Sequence, residues 1–176
     1  MGWRAGTPVV PARLSIYPMR TLVVGLGNPI LGDDGVGWVV AEEVRKHLPA
    51  GAPVDIDCLS LGGISLMERM IGYESAILID AFITDLAEGS IIVTMLDDLP
   101  NYSTFHLTSA HDTSLQHALE LGRQLGADLP KDLVVVGVSA SYVYDFSEEL
   151  SGPVRDSVPK MVEIVVDLLR QKITIH

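Results

Sequence analysis

The chain has 176 residues, 48% of them apolar, with 12 basic residues against 23 acidic ones and a formal charge of −11. That length and apolar content suit one folded domain with a substantial core, and the acidic balance argues against nucleic acid as a main partner, because phosphate binding needs a basic surface. No apolar run reaches the ~18 residues of a spanning helix, so no membrane insertion is expected; the single cysteine, Cys58, allows no internal disulfide and fits a reducing cytoplasm.

Residues 1–18 carry three prolines, little periodicity and no long apolar stretch of a secretory signal, and read as a disordered leader or a misassigned start. One domain is expected over residues 19–176. Its first strand is Leu22-Val23-Val24, an apolar run of the kind buried on both faces. Gly25 and Gly27 then allow a tight turn and a close backbone approach. Paired carboxylates follow, Asp33 and Asp34, either of them placed to cap a helix over Gly35–Leu48 whose apolar stripe is Val36, Val39, Val40, Val44 and Leu48. Pro53–Leu59 reads as a second strand. Gly62-Gly63 makes another sharp turn before a short helix, Ile64–Ile71.

Ser75–Phe82 is a third strand, apolar until Asp80 near its end. A fourth, Gly89–Leu96, is reached through a connection too short for a crossover helix, so it is expected to run antiparallel. Asp97–Ser109 reads as irregular loop, Thr113–Leu125 as a helix, Asp132–Val138 as a fifth strand, and Ser151-Gly152-Pro153 as the opening of a last helix. The pattern predicts a three-layer α/β/α sandwich with a mostly parallel five-stranded sheet and one antiparallel strand.

Parallel strands point their carboxyl ends the same way, and open α/β sheets bind ligands there. Asp34 after the first strand and Asp80 ending the third are therefore expected to converge, with His111 in a loop before a later helix. Two carboxylates and an imidazole form a donor set for a divalent metal. Without a cation, paired carboxylates repel and one tends to take up a proton. Asp34 reads equally well as a helix cap. Asp80 is harder to dismiss, since an acid near a core needs a partner. His106 and His117 have weaker claims, His47 reads as a favourable helix-end residue, Asp97-Asp98 as a solvated turn, and Cys58 as a small core residue. The Gly25-Leu-Gly27 turn has the first two glycines of a dinucleotide fingerprint, but Ile30 replaces the third; no organic cofactor is expected.

The segments Gly25-Leu-Gly-Asn-Pro-Ile-Leu-Gly-Asp-Asp-Gly-Val-Gly37, Gly62-Gly63, Ile77-Leu-Ile-Asp-Ala81, Ser109-Ala-His-Asp112 and Val136-Gly-Val138 together resemble the hydrogenase maturation endopeptidases. The likeness runs in order from Met19 to about Leu169. It implies a mostly parallel five-stranded sheet between helices, with Asp34, Asp80 and His111 as metal-binding residues and Gly27, Asn28, Gly62 and Gly63 in the loops of the substrate cleft. It further implies an endopeptidase that removes a C-terminal extension from the precursor of a nickel–iron hydrogenase large subunit. The nickel already in that precursor would be the recognition element. Apart from the resemblance, the chain presents no activated Ser or Cys nucleophile, so the expected chemistry is water polarised near the metal with an acid as base, of aspartyl or metal-dependent type on Asp34 and Asp80; Asp33 reads as a helper or equally as only a cap.

Two features depart from the family pattern: Leu61 stands where many members have an acid before the glycine pair, and Ser139–Asp145 lacks a Pro-Glu element. Both bear on substrate subgroup more than on chemistry. The competing readings are a peptidyl-tRNA hydrolase, which shares the Val-Gly-Leu-Gly-Asn-Pro opening, and a nickel-sensing chaperone that binds the precursor without cutting it. The first is disfavoured by Asp33-Asp34 in place of that family's His-Asn pair.

Overall fold

The computed structural model describes residues 20–99, 114–141 and 146–174; the leader, His106 and His111 lie outside these. In chain order the elements are β1 (Thr21–Leu26), a 3-10 turn (Gly32–Gly35), α1 (Val36–His47), β2 (Val54–Leu59), α2 (Gly63–Arg69), β3 (Ser75–Phe82), β4 (Ile91–Met95), α3 (Leu115–Gln124), β5 (Asp132–Ser139) and α4 (Gly152–Thr174). A second 3-10 turn, Leu96–Asp98, follows β4, and Asp97 and Asp98 are exposed in it as expected.

The sheet order is β2-β1-β3-β5-β4, parallel throughout except for β4. The brief β3–β4 connection does force the antiparallel return. β4 is shorter than expected because Gly89 turns with φ +80° and Leu96 already belongs to the 3-10 turn.

Alternation along the strands sorts side chains into two cores. Val23, Ile77, Ile79, Val134, Val136 and Val138 pack with Val36, Val40 and Val44 of α1 and Val154, Met161, Val165 and Leu169 of α4, whereas Val39, expected in the stripe of α1, falls one residue off the buried face and is exposed. Leu22, Val24, Leu78, Phe82, Leu133 and Val135 pack with Leu66 and Met67 of α2 and Leu115 and Leu119 of α3. This is the three-layer arrangement, and β1, β3 and β5 are covered on both faces.

Asp55 and Asp57 take the opposite parity to Ile56 and meet the basic end of α2. Tyr73 Oη donates to Asp55 Oδ2 at 2.7 Å, Arg69 pairs with Asp57 at 2.5 Å, and Arg20 also pairs with Asp55. The Arg20 and Arg69 guanidinium groups lie 5.4 and 5.3 Å from the Tyr73 ring centroid, within cation–π range.

The layers meet most closely where α1 begins. A Cβ on Gly25 would sit 2.2 Å from the Gly37 carbonyl oxygen, and one on Gly37 would sit 2.2 Å from Leu26 O and 2.5 Å from Ile79 O. Backbone therefore touches backbone at the ends of β1 and β3, and no neighbouring side chain can yield to make room. Gly37→Ala should destabilise the fold by about 3 kcal/mol through overpacking, seen as a lower denaturant midpoint with unchanged slope.

Candidate active site

The turn after β1 is shaped by its own polar groups. Gly27 has φ +116°, and a Cβ there would lie 1.8 Å from the Asp34 carbonyl oxygen, so only glycine allows the chain to pass so close. The Asn28 amide donates to Asp34 Oδ2 at 2.6 Å, Leu31 N to Asn28 O at 3.0 Å, and Asp34 N to Leu31 O at 3.2 Å. These bonds close the loop on itself and fix the Asp34 carboxylate, which is 9% exposed.

Helix capping is not how the acid pair is used. A 3-10 turn intervenes, the cap position of α1 falls on Gly35, and the carboxylates reach amides elsewhere. Asp33 is fully buried; its Oδ1 accepts from the Ser151 amide at 2.7 Å, at the head of α4. Both acids still stand just ahead of the positive end of α1, where negative charge is favoured.

Asp80 is fully buried in β3, where its Oδ1 accepts from the Ala81 amide at 2.8 Å. It shares strand parity with Leu78 and Phe82, on the α2–α3 side of the sheet. The 3-10 turn carrying Asp34 packs against β3, and Gly37 sits on the Ile79 carbonyl one residue before Asp80. The structure thus brings the Asp34 turn and the Asp80 strand together at the carboxyl edge, whereas Asp33 is directed toward α4. Among the described residues no group of three or more His, Cys, Asp or Glu side chains is arranged to hold a metal ion. His111, the expected third donor, lies outside the described residues.

The glycine loops flank this edge. Gly27 N donates to Leu59 O at 3.2 Å, and Ser60 Oγ donates to Gly27 O at 2.6 Å, so the β1–α1 and β2–α2 connections are tied together. Gly62 occupies the cap position of α2, and Gly63 is its first residue. Ile30, Leu61 and Ile64 are exposed on these connections, giving the rim an apolar character. Ser60, Ser147 and Ser151 carry much of the bracing, a role with no periodic signature in the sequence, since each is an isolated serine outside the regular elements.

Cys58 is no candidate nucleophile. Its Sγ lies 3.6 Å from Glu42 Oε1, and burial, reinforced by the Glu42 charge, pushes the thiol up to about 11. His117 is an exposed residue of α3, its amide bonded to the capping Ser114 hydroxyl.

Residues 40–168 match the HycI family model, described as hydrogenase maturation protease. The chain belongs to that family. A hydrogenase maturation protease of Methanocaldococcus jannaschii, named as putative, is 30% identical over 154 residues, covering 85% of this chain and 96% of that protein. The hydrogenase expression/formation protein HupD of Thiocapsa roseopersicina is 27% identical, covering 85% of this chain and 67% of HupD. Among solved structures, the hydrogenase maturating endopeptidase HybD from E. coli superposes with a TM-score of 0.70 at 26% identity, covering 88% of this chain and 94% of HybD. As a member of this family the chain is an endopeptidase, with the α/β fold expected from sequence. No described helix is long and apolar enough to cross a membrane.

At pH 8 a thiol raised to about 11 is almost wholly protonated. Iodoacetamide should therefore label Cys58 of the native maturation protease roughly 100-fold more slowly than in urea, where the thiol returns to its ordinary range. Mass spectrometry of the alkylated protein checks this.

Proposed function

We propose that this maturation protease removes the C-terminal extension of a nickel–iron hydrogenase large-subunit precursor in the cytoplasm, after nickel insertion. The nickel held by the precursor serves as the recognition element. Asp34, Asp80 and His111 are its ligands from the protease side.

The observation that most supports this reading is the pair of buried acids, one in the turn after β1 and one near the end of β3, each accepting from a backbone amide: Asp34 from Asn28 N and Asp80 from Ala81 N. Carboxylates fixed in this way lose little freedom on meeting a cation. Oxygen donors with one imidazole suit a divalent ion whose other partners are softer groups of the substrate. A metal shared in this way reports insertion, because an empty precursor offers nothing to hold. The apolar rim of Ile30, Leu61 and Ile64 suits the flanking peptide, which would lie across the braced Gly27-Asn28 and Gly62-Gly63 loops.

With Cys58 kept protonated, water is the attacking group in this proposal. It is polarised beside the metal, and one of the two carboxylates takes its proton.

Asp34→Asn, Asp80→Asn and His111→Ala should each abolish cleavage of nickel-loaded precursor while leaving the circular dichroism spectrum and melting temperature near wild type. Cleavage retained by both the Asp80 and His111 variants overturns the metal clamp. In mass spectrometry of the reaction, wild-type enzyme should shorten the nickel-loaded precursor and leave nickel-free precursor intact. A precursor that binds but keeps its mass makes the protein a non-cleaving chaperone.

A further inference from the structure

We propose that Asp33 is a positioning residue, whose carboxylate clasps the head of α4 and so holds the Gly32–Gly35 turn in the arrangement that presents Asp34 to the cleft. This rests on the role assigned to Asp34 above.

Three observations place the clasp. First, the Asp33 carboxylate is fully buried and accepts from the Ser151 amide across 118 residues of sequence, at 2.7 Å. Second, the same two segments are zipped together one turn away. Gly32 N donates to Ser147 O at 2.7 Å, Ser147 N donates to Ile30 O at 3.1 Å, and Leu31 and Ser147 form an isolated parallel bridge. Third, Asp33 Oδ2 and the Ser151 hydroxyl are both buried without a hydrogen-bond partner among the described residues.

An unsatisfied buried carboxylate oxygen costs stability, which the single bond from the Ser151 amide offsets only in part. The acid stands immediately beside Asp34, in a turn whose inner side is already closed by the Asn28–Asp34 bond. One side of the turn is thus held by Asn28; on the other, Ser147 holds the backbone at Ile30 and Gly32, and among the described residues Ser151 alone holds the side chain of Asp33. Loss of the outer hold frees the turn to shift, and a displacement of about an ångström at a reacting group costs up to ~100-fold in rate.

The chemistry of the clasp needs an acceptor at Oδ1 and a donor at the Ser151 amide, not a charge or a proton. Asp33→Asn keeps the acceptor, Asp33→Ala removes it, and Ser151→Pro removes the donor.

The test compares these variants and the Asp33→Ala/Ser151→Pro double variant in cleavage of nickel-loaded precursor, with Asp34→Asn in parallel. Amide hydrogen exchange of the free proteins gives an activity-independent readout. Asp33→Asn should keep kcat within about threefold of wild type. Asp33→Ala and Ser151→Pro should each lower kcat about 30-fold with KM nearly unchanged, and the double variant should be no slower than Asp33→Ala, as for two ends of one bond. Exchange at the Asp34 and Gly35 amides should rise at least about tenfold in Asp33→Ala while β3 amides keep their protection.

Asp33→Asn as slow as Asp33→Ala would overturn the proposal, since the carboxylate would then act chemically. So would wild-type kcat in Asp33→Ala, multiplied losses in the double variant, or exchange rising equally in the turn and β3. If Asp33→Ala does not fold, the contrast between Asp33→Asn and Ser151→Pro decides by the same criteria. Full activity in Asp34→Asn refutes the assigned site, whereas an inactive Asp34→Asn beside a fully active Asp33→Ala refutes only the clasp.

Discussion

Direct backbone contact between Gly25 and Gly37 is the constraint on which the candidate site depends. A helix that packs on a sheet through side chains is held off it by their bulk. Here the first turn of α1 comes down onto the carbonyls of Leu26 and Ile79, because neither glycine interposes a Cβ. The residues just before that helix must therefore fold tightly over the strand ends. The 3-10 turn Gly32–Gly35 is the result, and it delivers two acids to a place where a longer loop would leave them in solvent.

Asp33 and Asp34 are neighbours with opposite assignments. Asp34 is turned inward to the Asn28 amide and keeps slight exposure; Asp33 is sealed against α4 and has none. A 3-10 turn separates adjacent side chains by about 120°, so consecutive residues look in different directions. The proposed division of labour, one acid for the substrate metal and one for the frame, follows from that rotation.

Much of the fold was legible because it rests on short-range patterns. The segment Ser75–Phe82, apolar up to Asp80, is β3 to the residue, and the brief link after it announced the antiparallel β4. The packing of the turn that carries Asp34 against the strand that carries Asp80 followed from the shared direction of parallel strands. The capping role expected of the acid pair did not follow from local pattern, because it depends on which residue occupies the cap position, and a 3-10 turn moved that position to Gly35. The Asp33–Ser151 contact was invisible for a different reason: its two ends are 118 residues apart, and neither belongs to a periodic element.

The placement of Cys58 carries a consequence for metal traffic. Its sulfur, the only thiol of the chain, is held by burial and by Glu42 in the form that binds metal ions poorly. In the proposed reaction the protease thus engages the client's nickel through hard oxygen and imidazole ligands alone. On that proposal a protonated Cys58 would offer the ion no competing thiolate.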